Sequence, residues 1–585
     1  MRELVHVQLR HACVRFLVVS EEEKIANISH EMIQCRPLLS GRPLIATSIE
    51  RSEKKTESLN VKSTTFETKI ANRRDQARRS ILVQVYSSNS QDDLQSYCAQ
   101  FGEILSMHHY QKDRQHNYIL IEFKDMVSIN EIMSFASFMD GDLIAPVKSS
   151  IFWFRKGQTL RQKMNNQRKI ILATKNGIVY PTENEIANVL QDAKSISGQI
   201  TNLYEALKLS DLETRLRFHT AHHLEQYFSK LFQNTRILPF GSSLNGFGRK
   251  RCDLDLVLVP DNIEEVNTIQ YNSASRLVFH TKPMKLSERQ ETKEFMEILA
   301  STMQHFIPGV RNVRRILEAR VPIIKFYYEY TNIECDLSTT NMAAIYMSEL
   351  LNLYGEIDWR VRPLVTAIRK WAKSHEITCD VPGQWITNFS LSLLVLFYLQ
   401  QKNILPSLKA LKTYATRDDI RCTENGIDCT FLRDIEKLPA EYKYKSNQDN
   451  LELLLYGFFE YISTFDFHTK GICIREGVPI RKPSRSALHI TNPLETTLNV
   501  CKNVNIYELN RITEKAHDAV YTLETANESR NSSWGLLTLL NMKTLDVINL
   551  VKSRSKKEQN TADYLEDYSH EVSEVVIKPK KKKTV

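Results

Sequence analysis

The polar and apolar positions of residues 79–155 follow two different periods, which predicts a module of strands and helices. Apolar side chains at every second position indicate strands buried on one face, and apolar side chains three or four apart indicate amphipathic helices. The predicted order is strand, helix, strand, strand, helix, strand, over residues 81–86, 92–101, 104–110, 118–123, 129–138 and 150–154.

This order of elements is typical of a ferredoxin-like or RRM-like domain, which we place at residues 65–155. An RNA-binding module of this kind stacks bases on aromatic side chains of its central strands. Tyr118 and Phe123 occupy two such positions, but Leu82 and Leu120 stand where further aromatic residues are needed. We therefore expect a sheet that packs or dimerises, and base stacking is the alternative.

A second mixed region follows, and the chain then becomes helical. Apolar runs bounded by polar turns predict strands at 237–240, 256–259, 321–328 and 333–337. Helical spacing of apolar residues predicts helices at 211–232, 286–306, 362–374 and 386–401. We expect the region beyond residue 345 to be helical until periodicity is lost near residue 527.

Length and composition limit the kinds of protein this can be. The 585 residues are enough for several domains, and the net charge of +9 favours a polyanionic partner. The 10 Cys include no Cys-x-x-Cys pair, which argues against a zinc site or a disulfide scaffold. No apolar run approaches the roughly 18 residues that a bilayer span requires, so no membrane span is predicted.

The strongest chemical signal is a Gly-Ser turn followed by paired carboxylates. Phe240, Gly241 and Ser242 precede Asp253 and Asp255, which begin an apolar strand. Residues two apart in a strand point to the same face, so the two carboxylates repel each other unless a cation lies between them. Such oxygen ligands suit Mg²⁺ bound together with substrate phosphates. Gly241 and Ser242 are therefore predicted to approach a phosphate.

A third carboxylate, Asp336, ends the second strand of the predicted hairpin. It is the charged residue of an apolar strand end. One interpretation is a cap for the helix that follows. We favour the other, in which Asp253, Asp255 and Asp336 on neighbouring strands hold two Mg²⁺ or Mn²⁺ ions.

These residues resemble the DNA polymerase β-like nucleotidyltransferases. More narrowly, residues 200–510 resemble the terminal RNA nucleotidyltransferases, which include poly(A) and poly(U) polymerases. The resemblance rests on the Gly-Ser turn, the three acids and four further segments: Ser338 to Asn341, Arg362 to Lys373, Thr387 to Leu391, and Asn492 to Asn499.

The resemblance also implies where a nucleotide would bind. Asn341 matches an Asn that contacts the ribose. Arg369 and Lys373, four apart on one helix face, match basic residues that bind the triphosphate, and Asn388 stands where relatives place a phosphate-contacting Ser. Phe431 is a candidate for stacking on the base, with ordinary core packing as the alternative.

Base choice is inferred from one position. Related uridylyltransferases carry a His where this chain has Leu498, and a His can donate to uracil O4. Leucine offers no donor, which favours ATP over UTP.

The two ends of the chain suggest a location. Residues 32–49 contain Arg and hydroxyl residues but no acid, as in a mitochondrial presequence, and Met32 is a candidate alternative start. The lysines at 578–583 could hold RNA or act as a nuclear signal. We predict the mitochondrial matrix, with nucleus or cytoplasm as alternatives.

The predicted fold class is α+β, with a palm-like nucleotidyltransferase domain and a helical central domain after the RRM-like module. The predicted function is template-independent addition of AMP from ATP to the 3′ ends of mitochondrial RNA, by a homodimer joined through the N-terminal domain. The alternatives are a uridylyltransferase or oligo-adding transferase, and a noncatalytic RNA-binding subunit. The predicted domains are a disordered leader with a possible presequence at 1–60, the RRM-like domain at 65–155, a linker and the start of the helical region at 156–210, the palm at 211–345, the helical nucleotide-recognition domain at 346–525 and a mostly disordered basic tail at 526–585.

Overall fold

The computed structural model describes eleven parts of the chain: residues 65–113, 115–138, 147–155, 180–232, 235–260, 287–339, 341–381, 383–439, 442, 447–526 and 534–542. The predicted leader and presequence, residues 156–179 of the predicted linker and the lysines at 578–583 lie outside these parts. In the described parts, no helix is both long and apolar enough to cross a bilayer.

The elements are named here in chain order. The N-terminal unit contains α1 (Phe66–Arg78), β1 (Ser80–Val85), α2 (Gln91–Cys98), β2 (Ile104–Lys112), β3 (His116–Phe123), α3 (Met126–Phe135) and β4 (Ile151–Trp153). Next come α4 (Glu183–Gln191), α5 (Ile196–Leu207), α6 (Asp211–Leu231), β5 (Thr235–Phe240), β6 (Leu254–Pro260), α7 (Glu288–Phe306), β7 (Val310–Ile316), β8 (Ile323–Tyr328) and β9 (Ile333–Thr339). The last part contains α8 (Met342–Ile357), α9 (Val361–Ser374), α10 (Asn388–Gln401), α11 (Leu408–Thr413), α12 (Leu451–Thr464), β10 (Lys470–Cys473), β11 (Val478–Arg481), β12 (Ile490–Thr491), α13 (Ile506–Ala526) and α14 (Leu536–Leu539).

The N-terminal sheet has the predicted elements but not the full predicted topology. Its strands lie in the order β2-β3-β1-β4, as in a ferredoxin-like sheet. In that fold β4 runs parallel to β3, and therefore antiparallel to β1. Here β4 runs parallel to β1. The ferredoxin-like prediction is thus not confirmed.

The palm is a five-stranded sheet covered by α6 and α7. Ser210 and Glu213 form a reciprocal capping box that fixes the start of α6. The strand order is β5-β6-β9-β8-β7, with β6 parallel to β9 and the other pairs antiparallel. The predicted hairpin is present as β8 and β9. Strand β7, at the edge of the sheet, was not predicted.

One face of the N-terminal sheet packs against the palm. Leu82, Tyr118 and Leu120 form a buried cluster with Leu212 and Leu216 of α6. Tyr118 is 4% exposed, so its ring is closed to a base. The prediction that this sheet packs is confirmed within the same chain.

Phe123 was wrongly assigned to that face. It is fully buried on the opposite side of the sheet, in the core under α2 and α3. The reason is the two-residue period of a strand, which places Tyr118 and Phe123 on opposite faces.

The helical unit combines parts of the chain from before and after the palm. Its core includes residues of α4 and α5 together with those of α8 to α14. A small sheet in the order β11-β10-β12 lies within it, so the expectation of an all-helical region was wrong there. Leu536 and Leu537, expected in a disordered tail, are also buried in this core.

The buried histidines of α6 should make the palm sensitive to acid. Burial lowers the pKa of His219 to about 4. Partial burial, the neighbouring His219 and the nearby Arg78 and Arg74 lower the pKa of His222 to about 3. An unfolded histidine titrates near pH 6.5, so the unfolded chain binds these protons first. The contribution of these neutral histidines to the stability of the fold is fully present above about pH 6.5. It is lost as the pH falls toward their pKa values in the folded protein.

For His219 alone, we expect the free energy of unfolding to fall by about 2 kcal/mol between pH 7 and pH 5. Urea unfolding at each pH measures it. His219→Gln should make the free energy of unfolding depend less on pH. His517→Gln, at an exposed position of α13, should leave that dependence unchanged. Equal slopes for wild type and His219→Gln would contradict the prediction.

Candidate active site

Strand register brings two carboxylates and two cations into one row across the palm sheet. Asp255 of β6 pairs with Asp336 of β9, and Asp336 pairs with Lys325 of β8. Lys325 in turn pairs with Arg314 of β7. Directly paired residues share a face of the sheet. Asp253, just before β6, lies two residues from Asp255 and so faces the same way.

The three predicted acids therefore meet at one site. Lys325 Nζ lies 3.3 Å from Asp253 Oδ2 and 3.1 Å from Asp336 Oδ1. The cap interpretation of Asp336 is wrong, because β9 continues to Thr339 and the residue preceding α8 is Asn341. What the acids hold remains a prediction.

The electrostatics of this site favour a cation. Burial and the carboxylates of Asp336 and Asp253 raise the pKa of Asp255 to about 7. Burial also raises the pKa of Asp336, although Lys325 opposes this effect. A positive charge placed among these groups would stabilise their ionised forms.

Gly241 has a structural role in addition to the predicted approach to a phosphate, which stays a prediction. Its φ is +66°, and a Cβ at this position would lie 2.3 Å from Asp255 Oδ2. The backbone N–H of Gly241 donates to Ser348 Oγ at 2.7 Å. Gly241 therefore makes room for the Asp255 carboxylate, and its amide is held by α8.

A cleft of about 1900 Å³ between the palm and the helical unit passes this site. Ten of the twelve predicted site residues line it. These are Phe240, Gly241, Ser242, Asp253, Asp255, Asn341, Arg369, Lys373, Asn388 and Leu498. Asp336 joins them through Lys325, which also lines the cleft.

Phe431 does not belong to the site. It is 0% exposed and lies in the core of the helical unit. The guanidinium of Arg433 lies 4.4 Å from its ring centroid. The base-stacking prediction for Phe431 is therefore wrong, and the core alternative holds.

The two basic residues predicted to bind the triphosphate, Arg369 and Lys373, have different partners in the structure. Arg369 Nη1 donates to the Phe247 carbonyl at 2.8 Å, and its Nε donates to Ser392 Oγ at 2.9 Å. Burial and the nearby Arg249 lower its pKa to about 10. Lys373 instead pairs with Asp380, at 2.8 Å, whose side chain is 72% exposed. An exposed pair of this kind is weak, so Lys373 is the freer of the two.

Lys325 is the site residue that the sequence analysis missed. The signal was present, since Lys325 is the charged residue within the apolar run from Val321 to Tyr328. The sequence alone does not place Lys325 at the site, because its position beside Asp336 depends on the β8–β9 register.

Comparison with known proteins identifies the family. A family model described as "Poly(A) RNA polymerase, mitochondrial-like, central palm domain" matches residues 196–356. The chain is 40% identical over 472 residues to the mitochondrial poly(A) RNA polymerase of Drosophila melanogaster, covering 79% of this chain and 76% of that one. The chain belongs to the mitochondrial poly(A) RNA polymerase family. The human enzyme of this name is 33% identical over 539 residues, covering 89% of each chain.

A solved structure of this poly(A) polymerase family supports the same conclusion. The crystal structure of mtPAP with ATPγS has a TM-score of 0.73 and 31% identity, covering 82% of this chain and 99% of that chain. The same protein was crystallised with UTP, with GTP and with CTP. The recognition from sequence and the mixed fold with a nucleotidyltransferase palm are confirmed.

The acids of this polymerase palm suit a divalent metal in donor type and placement. Carboxylate oxygens are the ligands that Mg²⁺ and Mn²⁺ prefer. Asp336 Oδ1 is buried, and its partner within the described residues is the Lys325 ammonium at 3.1 Å, which a metal ion could replace. In those same parts of the chain, no group of three His, Cys, Asp or Glu is already gathered to metal-binding distance. Lys325 lies between two of the three acids.

Proposed function

We propose that this protein is a template-independent poly(A) polymerase that adds AMP from ATP to RNA 3′ ends in mitochondria. Membership of the mitochondrial poly(A) RNA polymerase family supports the enzyme class and the location. The observation that carries the chemistry is the register that brings Asp253, Asp255 and Asp336 together beside the cleft.

Asp253 and Asp255 would be ligands of both Mg²⁺ or Mn²⁺ ions. Asp336 would complete the coordination of the ion nearest the 3′-hydroxyl of the RNA. Divalent ions bound there supply the charge that activates a 3′-hydroxyl and neutralises a leaving pyrophosphate. The protein contributes positioning, because Asp255 and Asp336 are paired on neighbouring strands and Asp253 directly precedes β6. Positioning and charge neutralisation account for most catalysis of phosphoryl transfer.

The nucleotide would lie between the palm and the helical unit. Asn341 precedes α8, lines the cleft and does not use its side chain to cap the helix, so its amide would contact a ribose hydroxyl. Lys373 would exchange Asp380 for a phosphate. Asn388 and Ser242 line the same cleft and offer further donors. Arg369 would support the pocket wall, since its donors are already engaged.

The partners follow from this chemistry. RNA 3′ ends, here those of mitochondrial transcripts, would enter the cleft near Asp336, on the side of β8 and β7. The homodimer would use surfaces of the N-terminal unit other than the face that α6 covers. Light scattering of the full chain tests the dimer.

A uridylyltransferase is the second candidate function, because it would share these acids. The crystal structures of mtPAP with four kinds of nucleotide indicate that occupancy of that site is not limited to one base. The preference for one nucleotide must therefore be measured as the rate of RNA extension with each NTP. An unstructured RNA incubated with Mg²⁺ and each single NTP should be extended with ATP far better than with UTP. A preference for UTP would overturn the proposal.

Leu498 should influence the choice between ATP and UTP. It lines the cleft, and its backbone is fixed in a turn by hydrogen bonds with Asn492 and Glu495. Leu498→His would place a donor against the exocyclic amine of adenine, leaving unpaired groups at about 1–3 kcal/mol each. We expect relative kcat/KM to shift toward UTP by at least about tenfold, which corresponds to about 1.4 kcal/mol.

The comparison requires one RNA and one Mg²⁺ concentration. Leu498→Met is the matched control, because it keeps an apolar side chain of similar size without a donor. An unchanged ATP/UTP ratio in folded Leu498→His would show that residue 498 does not face the base.

A further inference from the structure

Lys325 contacts two of the three acids and fills the space between them. Its ammonium lies 3.3 Å from Asp253 Oδ2, and 3.1 Å and 3.3 Å from the two oxygens of Asp336. Asp253 directly precedes β6 and Asp336 lies in β9, so Lys325 links these two strands from its own strand, β8. Its side chain is 23% exposed, which leaves it open to the cleft.

No other described cation pairs with these two carboxylates. Within the described residues, the ion pairs of Asp253 and Asp336 are both made with Lys325. Lys325 is therefore a cation held in place by the acids themselves.

The neighbouring cations are placed differently. Arg217 of α6 is 2% exposed and donates to the Cys252 carbonyl at 2.6 Å, behind the acids. Arg314 follows Lys325 in the row, on the edge strand β7. Arg217 and Arg314 act on the acids from a distance, and neither makes an ion pair with the three acids within the described residues. The direct contacts to Asp253 and Asp336 are those of Lys325.

We propose that Lys325 is a placeholder cation that holds Asp253 and Asp336 together until a divalent ion displaces it. It would thereby set the metal concentration at which the site loads. This inference rests on the proposed metal site of the previous section.

The chemistry of lysine suits this exchange. Three converging carboxylates repel one another, and one ammonium offsets part of that repulsion. An ammonium is a compact charge on a flexible four-carbon stem, so it can withdraw into the cleft without moving the strand. A divalent ion carries twice the charge and therefore competes with the ammonium for the same oxygens.

The test is metal binding by the full chain without nucleotide. Mn²⁺ titration followed by electron paramagnetic resonance gives the Kd directly. Lys325→Met removes the competitor, so we expect Mn²⁺ to bind at least about fivefold more tightly. The melting temperature in EDTA should fall relative to wild type, and the gain on adding Mn²⁺ should be larger.

Two control variants separate charge from other effects. Lys325→Arg keeps the charge, so its Mn²⁺ affinity should equal or fall below that of wild type. Lys293→Met removes another palm lysine, which pairs with Glu318 away from the acids, and should leave Mn²⁺ binding unchanged. Equal tightening in Lys325→Arg and Lys325→Met would overturn the placeholder role.

The outcomes distinguish this inference from the proposed function. If wild type binds no Mn²⁺, or binds it as tightly after Asp336→Asn, the proposed metal site is wrong. If wild type binds Mn²⁺ through these acids and Lys325→Met has an unchanged or weaker affinity, only the role of Lys325 is wrong.

Discussion

Asp336→Ala should abolish RNA extension while leaving the protein folded and able to bind RNA. The substitution removes a carboxylate from the row on β6, β9 and β8, but little core volume, because the side chain is 21% exposed. We expect the rate to fall at least about a thousandfold, equivalent to roughly 4 kcal/mol of barrier. Single-turnover extension of an unstructured RNA with ATP and Mg²⁺ measures it.

Glu334→Ala provides a matched control for this experiment. Glu334 is also an acid on β9, lies two residues before Asp336, and lines the cleft. It pairs with Tyr327 and lies outside the row of acids. Its loss should leave the rate within a few fold of wild type. An Asp336→Ala variant that kept more than about a tenth of the wild-type rate would refute the three-carboxylate model.

The location of the acids was predictable because each signal is local. The two-residue period of a strand aligns Asp253 with Asp255 whatever the rest of the chain does. A polar turn between two apolar runs predicts the hairpin that carries Asp336. The parallel pairing of β6 with β9 is not local and was not predicted, since the expectation was only that the three acids lie on neighbouring strands.

Other features depended on distant contacts that no local pattern encodes. The role of Lys325 depends on the β8–β9 register, and a shift of one residue would turn it to the other face. Phe431 is an aromatic residue in a loop, and only the packing of the helical unit shows that it is core. The parallel direction of β4 is seen in its pairing with β1, and the apolar period of 150–154 carries no information on strand direction.

The Gly-Ser turn connects the palm with the helical unit, which explains its place in the site. The Gly241 amide is held by Ser348 of α8, while the Asp255 carboxylate fills the space beside its Cα. A displacement of this turn would therefore reach both the acids and the wall of the nucleotide cleft. Catalysis depends on such placement, since an error of about 1 Å can cost a hundredfold in rate.

Gly241→Ala should therefore lower kcat at least about a hundredfold. The new Cβ would lie 2.3 Å from Asp255 Oδ2, and φ at this position is +66°. Backbone strain at such a φ costs about 1–2 kcal/mol of stability for an L-residue. The clash adds a second effect, because either Asp255 or the turn must move. We expect kcat to fall while the apparent KM for RNA changes little.

Gly426→Ala separates the two effects. Gly426 has a similar φ of +73°, but a Cβ there meets nothing within 4 Å. This variant should lose a similar amount of stability and keep its activity. Urea unfolding and single-turnover extension of both variants, with the same RNA and Mg²⁺ concentration, make the comparison. Equal activity of Gly241→Ala and Gly426→Ala at equal stability would contradict the prediction. It would show that the close approach of residue 241 to the Asp255 carboxylate does not position this acid.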